Sequence, residues 1–257
     1  MAVSAALLAT PRHAILRDAW ARCNPVLGAN GASGILSAGK RRVGQHDAKI
    51  WHEVAMTDPR VEILDKTICY NGFFRIERYR LRHRLYSGAW SRELTREIFE
   101  RGHAAAVLPY DPVRDAVILV EQFRIGALEA PGDPWLLEIV AGVIDKPDET
   151  PEDVARREAV EEANCHIQDM VHICDYFVSP GGTSECISLF CGKVEAAGAE
   201  GVYGLAEEEE DIRVIVVPFA EALAQLQTGN IRSAAPIMAL QWLQLNHDQL
   251  RARWGAA

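Results

Sequence analysis

The sequence predicts an α+β fold in which a sheet carries helices on both faces. Three observations lead there. Short β-branched and aromatic runs recur from residue 61 to residue 218. A helical segment follows a glycine turn in the middle of that series. Two further helical segments close the chain.

Residues 61–68, 73–86 and 96–100 read as the first strands, rich in Ile, Phe, Tyr and Leu. Residues 105–109 and 116–122 flank Asp111-Pro-Val-Arg-Asp115, a hairpin turn. Residues 136–140 form a strand that runs into Ala141-Gly142. The helix comes next. Thr150 is a good N-cap, Pro151 suits the first helical position, and Glu152 and Asp153 favour the positive end of the helix dipole. Thr150 and Asp153 approximate a capping box. Asn164 tolerates the left-handed conformation that ends helices. Residues 171–178, 186–194 and 212–218 read as further strands. Helices over 220–227 and 235–254 follow, the second with an apolar stripe of Ile237, Leu240, Leu243 and Leu245. Trp242 and Trp254 read as core or interface.

The helix carries the chemistry. Glu158, Glu161 and Glu162 fall within an arc of roughly 100°. Ala155, Ala159, Val160 and Ala163 occupy the other side, which suits packing on a sheet. Glu158 and Glu162 stand four apart, a like-charge pair that costs about 0.2–0.5 kcal/mol. A hard divalent ion such as Mg²⁺ reverses that sign, because it takes oxygen ligands. Arg157 can tie part of the acidic set in place, with Glu149 as a partner. The plain alternative is a solvated acidic face with Arg156 and Arg157 as surface partners. The run of acids at 207–211 has the same two readings.

Residues 142–164, GVIDKPDETPEDVARREAVEEAN, resemble the Nudix box, G-x5-E-x7-R-E-U-x-E-E-x-G-U, with U aliphatic. Glu149, Arg157-Glu158 and Glu161-Glu162 fit in register. Six residues rather than five separate Gly142 from Glu149, and Asn164 and Cys165 replace the usual Gly and aliphatic residue. No carboxylate is lost by either departure. From about residue 61 to 254 the chain is similar to the bacterial ADP-ribose pyrophosphatase branch of that superfamily, through stretches such as WLLEIVAG, SPGGTSE and GLAEEEEDIRV. That branch has a proline sixteen residues past the last glycine position of the box. Pro180 occupies it here.

The resemblance implies a Nudix-type α/β/α sandwich with a mixed sheet, preceded by a small antiparallel sheet that swaps across a homodimer. It implies Mg²⁺, or Mn²⁺, held by Glu158, Glu162, Glu210 and the carbonyl of Ala141, with Glu161 serving a second ion. It implies Glu208 as the catalytic base on a mobile loop. Phe73 and Phe74 match adenine contacts, and Arg96 and Glu97 match contacts made from the partner subunit. Arg101 and Arg124 match phosphate or ribose contacts. Val143, Ser179, Pro180, Gly181 and Glu185 match further substrate positions. The implied reaction is hydrolysis of the diphosphate of ADP-ribose to AMP and ribose 5-phosphate. Hydrolysis of other nucleoside diphosphate sugars or dinucleotides is the neighbouring alternative, and a non-catalytic ADP-ribose sensor is the alternative of another class.

Composition bounds these readings. The net charge of −9 argues against an extended nucleic-acid surface. No apolar run reaches the roughly 20 residues of a membrane-spanning helix. Cysteines at 23, 69, 165, 174, 186 and 191 form no C-x-x-C pair, so the expected compartment is a reducing cytoplasm. Residues 1–55 hold seven Lys or Arg against three Asp or Glu. They read as a disordered extension, an upstream start preceding a true start at Met56, or a targeting presequence, the first two being preferred. Residues 13–22 suit a short helix. The expected domains are therefore 1–55, an antiparallel sheet over 56–103, and a hydrolase domain over 104–257.

Overall fold

The computed structural model describes residues 58–205 and 209–255, all within one compact unit. The expectations for residues 1–55, and the helix expected at 13–22, lie outside the described residues.

Two sheets form. The first holds β1 (Val61–Asn71), β2 (Arg75–His83) and β3 (Leu94–Glu100), all antiparallel. The second holds β4 (Ala104–Asp111), β5 (Ala116–Phe123), β6 (Trp135–Glu138), β7 (Val140–Val143), β8 (Asp169–Phe177), β9 (Cys186–Lys193), β10 (Gly201–Tyr203) and β11 (Ile212–Pro218). It is mixed, since β4 and β9 run parallel while its other pairs are antiparallel. Among the described residues three α-helices accompany it: α1 (Pro151–Ala163), α2 (Phe219–Thr228) and α3 (Ala234–Trp254).

Strand periodicity explains the layering. Every residue of β4 is buried, and successive side chains point to opposite faces. Ala106, Leu108 and Tyr110 pack with Phe219 of α2 and Leu240, Leu243, Leu250 and Trp254 of α3. Ala105 and Val107 pack with Val154, Ala155, Ala159 and Ala163 of α1. The expected α/β/α sandwich follows from this alternation.

The segment 135–143 departs from the single strand expected over 136–140. Strands β4 and β5 pair only beside their hairpin, Tyr110 with Val117 and Asp111 with Ala116. Beyond it they splay, and the segment enters the gap. Its first half pairs with β5 as β6, and its second half with β4 as β7. The wedge sets Ala141 and Gly142 beside α1. Three smaller differences have local causes. Strand β2 begins at Arg75, because residues 72–74 make the hairpin tip. Leu245 is exposed and contributes nothing to the stripe of α3, whose buried face runs through Ala239, Leu240, Leu243, Leu250 and Trp254. Val160 is exposed, and the buried face of α1 passes instead through Glu162.

Among the described residues no helix is long and apolar enough to cross a membrane.

Candidate active site

The site is built where α1 crosses β7. The helix starts as its sequence dictates. The Thr150 hydroxyl accepts the Asp153 N–H at 3.2 Å, and the Asp153 carboxylate accepts the Thr150 N–H at 3.0 Å. It ends at Asn164 in the left-handed region, φ 46°. Gly142 permits the close approach, since a Cβ there would overlap the Glu158 carboxylate.

Glu162 is 3% exposed. Its Oε2 accepts the Ala141 N–H at 3.0 Å. Burial pushes its pKa up to about 8. The Ala141 hydrogen bond and the Arg124 charge oppose that rise, and the charges of Glu158 and Glu210 add to it. Burial also pushes Glu158 up to about 6, opposed by Arg157 and assisted by Glu161 and Glu210. Arg157 binds three carboxylates. Its Nε and Nη2 reach Glu149 at 3.1 and 3.3 Å, and its Nη1 reaches Glu158 Oε1 and Glu161 Oε2, each at 2.8 Å. Burial works against the guanidinium charge, but these partners outweigh it and raise the pKa of Arg157.

Glu210 arrives from the loop between β10 and β11. Its Oε2 accepts the Leu205 N–H at 3.1 Å, and its own N–H donates to the Leu205 carbonyl at 3.2 Å. Gly204, at φ 110°, passes so close that a Cβ would lie 2.6 Å from the Glu210 Cβ. Glu208 lies outside the described residues.

Among the described residues no three acidic, His or Cys side chains converge tightly enough to hold an ion as they stand. Each carboxylate is turned to a local donor: Glu162 to Ala141, Glu158 to Arg157, and Glu210 to Leu205. The donor set nevertheless suits a hard cation. Buried oxygens that repel one another are what a divalent ion neutralises.

A second group gathers where the two sheets meet. The Phe99 N–H donates to the Gly182 carbonyl at 2.8 Å, and the Ser184 hydroxyl donates to Glu100 Oε2 at 2.6 Å. These bonds hold β3 against the turn containing Ser179, Pro180 and Gly181. Arg101 pairs with buried Glu185 at 3.5 Å and lies 5.5 Å over the Phe74 ring. Burial raises the pKa of Glu185, and Arg101 opposes it. Phe73 meets Phe74 edge-on but is 96% exposed at the hairpin tip. Val143 is exposed at the end of β7. Arg96 and Glu97 sit on the exposed part of β3, where Glu97 pairs with Arg78 at 2.9 Å. The structure thus brings together Phe74, Arg101 and Glu185, and separately sets Glu162 within reach of the charges of Arg124, Glu158 and Glu210. Arg96 and Glu97 join neither group.

Sequence reasoning missed Glu138. It accepts from Arg124 Nε at 2.7 Å and from the Ser233 hydroxyl at 2.6 Å. A lone acid inside the apolar run WLLEIV was the available signal, because a half-buried charge needs partners.

Comparison with known proteins places the chain in a family. The NUDIX domain model matches residues 100–240. The ADP-ribose pyrophosphatase of Escherichia coli K12 is 52% identical over 194 residues, covering 76% of this chain and 92% of that protein. The ADP-ribose pyrophosphatase of Haemophilus influenzae is 46% identical over 197 residues, covering 76% and 90%. A crystal structure described as an ADP compounds hydrolase superposes with a TM-score of 0.57 at 20% identity, covering 77% of this chain and 97% of that one. At that identity the likeness concerns the fold. The chain belongs to the Nudix family, and it is a hydrolase. Members of that family generally work with a divalent metal ion.

Proposed function

We propose that this protein hydrolyses the diphosphate of ADP-ribose to AMP and ribose 5-phosphate, with Mg²⁺ as the ion. The observation that carries the reading is the buried, mutually repelling pair Glu158 and Glu162 beside Arg124, within a chain about half identical to ADP-ribose pyrophosphatases.

Glu158, Glu162, Glu210 and the Ala141 carbonyl would hold the ion, with Glu161 available to a second. Bound there, Mg²⁺ supplies neutralisation of diphosphate oxygens and acidification of water. The residues of the chain do the rest. Arg157 keeps Glu158 and Glu161 oriented. Arg124 offers its guanidinium donors to the diphosphate. Phe73 and Phe74 give aromatic faces to the adenine, and Arg101, Val143, Glu185 and the turn at Ser179, Pro180 and Gly181 bind the remainder. The Glu208 carboxylate takes the proton of the attacking water. A bond forms from water oxygen to phosphorus, and the bridging P–O bond breaks with its electron pair leaving on the departing phosphate.

The division into 1–55, 56–103 and 104–257 belongs to the same proposal, as does a homodimer that exchanges the first sheet. Exposed Ile63, Ile68 and Tyr70 on β1 support the exchange, since such side chains are seldom left uncovered. In a dimer Arg96 and Glu97 could then complete the partner's site. A cytoplasmic setting fits the cysteine pattern. The test is product analysis after turnover in ¹⁸O water with Mg²⁺. AMP and ribose 5-phosphate, one of them labelled, are the expected products. Intact ADP-ribose under conditions that cleave it with the Escherichia coli enzyme would refute the reading.

A further inference from the structure

We propose that Glu138, braced by Ser233, is a positioning residue that aims Arg124 at the diphosphate. This rests on the substrate reading above.

Arg124 follows β5 and Glu138 ends β6, and β6 joins β5 through Val120 opposite Glu138. The Arg124 main chain is fixed by its N–H, which donates to the Pro134 carbonyl at 2.9 Å. Its side chain is fixed at one point, Nε to Glu138 Oε2 at 2.7 Å. Among the described residues its two Nη groups make no hydrogen bond, so they are the donors left for a ligand. The side chains differ in exposure as this division requires, 16% for Glu138 and 44% for Arg124. An arginine held through Nε presents a planar, preoriented fork at little entropic cost on binding.

Ser233 supplies the second line of evidence. It is the N-cap residue of α3, a position where a serine hydroxyl ordinarily accepts a helix N–H. Here it makes no such bond and donates to Glu138 Oε1 at 2.6 Å. The neighbouring Arg232 ties down the loop that carries Arg124, donating to the carbonyls of Pro131 and Asp133, both at 2.5 Å. Ser233 therefore forgoes capping its own helix, and together with Arg232 it braces the Arg124 support from two sides. Both Glu138 oxygens are engaged, one per partner, and the carboxylate cannot rotate without breaking a short bond.

The test is a double-mutant cycle on the full-length protein with Glu138→Gln, Arg124→Ala and both together. Glu138→Gln keeps the Ser233 contact and removes the charge. It is expected to raise KM for ADP-ribose about tenfold and to leave kcat within about twofold. In the Arg124→Ala background it should add less than about twofold. Ser233→Ala should raise KM in the same direction while shifting Tm by less than an ordinary N-cap loss, and it serves if Glu138→Gln fails to fold. An unchanged KM in Glu138→Gln, or additive effects in the double variant, would overturn the assignment. The Arg124 Nε–H resonance, identified by its absence in Arg124→Ala, decides the clamp without any turnover. Slow solvent exchange in wild type that becomes fast in Glu138→Gln is expected, and equal exchange in both would overturn the clamp. A wild type that leaves ADP-ribose intact counts against the proposed substrate alone.

Discussion

Replacing Glu162 by Gln should make the metal-free protein more stable and the enzyme inactive. Native Glu162 keeps its proton to about pH 8, whereas the unfolded chain releases it near 4.5. Between those values the folded state binds more protons, so wild-type stability falls as pH rises through the window. A tenfold difference in proton affinity between the folded and unfolded chain is worth about 1.4 kcal/mol. At pH 7 the penalty is about 3 kcal/mol, and above pH 8 it approaches about 5 kcal/mol. Gln carries no charge, and its Oε1 can still accept the Ala141 N–H, so it escapes this penalty. For a protein of this size the gain corresponds to roughly 6–12 °C in Tm at pH 7. The assay is thermal unfolding of both proteins in EDTA from pH 4 to pH 8.5. The curves should coincide near pH 4 and diverge as pH rises. Turnover with Mg²⁺ should fall on the order of 10³-fold, as several kcal/mol of charge stabilisation is lost. A variant less stable than wild type at pH 8 in EDTA would refute the burial argument. Near-normal turnover would refute the ligand role.

Other expectations follow from the same geometry. Gly142→Ala places a methyl group on the Glu158 carboxylate. It should lower stability by about 1–3 kcal/mol and cut kcat at least tenfold, and unchanged kinetics would show that Glu158 has room to move. Asp111 is almost fully buried in the β4–β5 turn, where it accepts from the N–H groups of Val113, Arg114 and Ala196 and from the Arg114 guanidinium. Burial pushes its pKa up, but these donors win and hold it below the usual carboxylate range. Its contribution is therefore present at neutral pH and lost as pH falls through its folded pKa. Asp111→Asn sets an amide or a weaker acceptor against those donors and should cost about 1–3 kcal/mol at pH 7 by chemical denaturation, with the gap narrowing in acid.

The parts that sequence revealed are the local ones. Thr150, Pro151, Asp153 and Asn164 define a helix from their own chemistry, and the structure keeps each in its expected place. The partnership of Arg157 with Glu149 was legible because the two lie only eight positions apart. Burial was harder. Periodicity put Glu158, Glu161 and Glu162 on one face, yet the rotation of α1 against β7 decides which of them loses water. That rotation is set by Gly142 and by packing against Ala105 and Val107, residues distant in sequence. It turns Glu162 inward and Val160 outward. The division of residues 135–143 between two partners was hidden for a similar reason, since it depends on β4 and β5 splaying apart. Glu138 and Ser233 lie 95 residues apart, and no local pattern joins them.

The most direct test of the central claim is anomalous diffraction from a crystal containing Mn²⁺ and a non-cleavable ADP-ribose analogue. A peak bounded by Glu158, Glu162, Glu210 and the Ala141 carbonyl, against the diphosphate, is the predicted result. A bound analogue with those carboxylates still turned to Arg157, Ala141 and Leu205, and no peak between them, would contradict it.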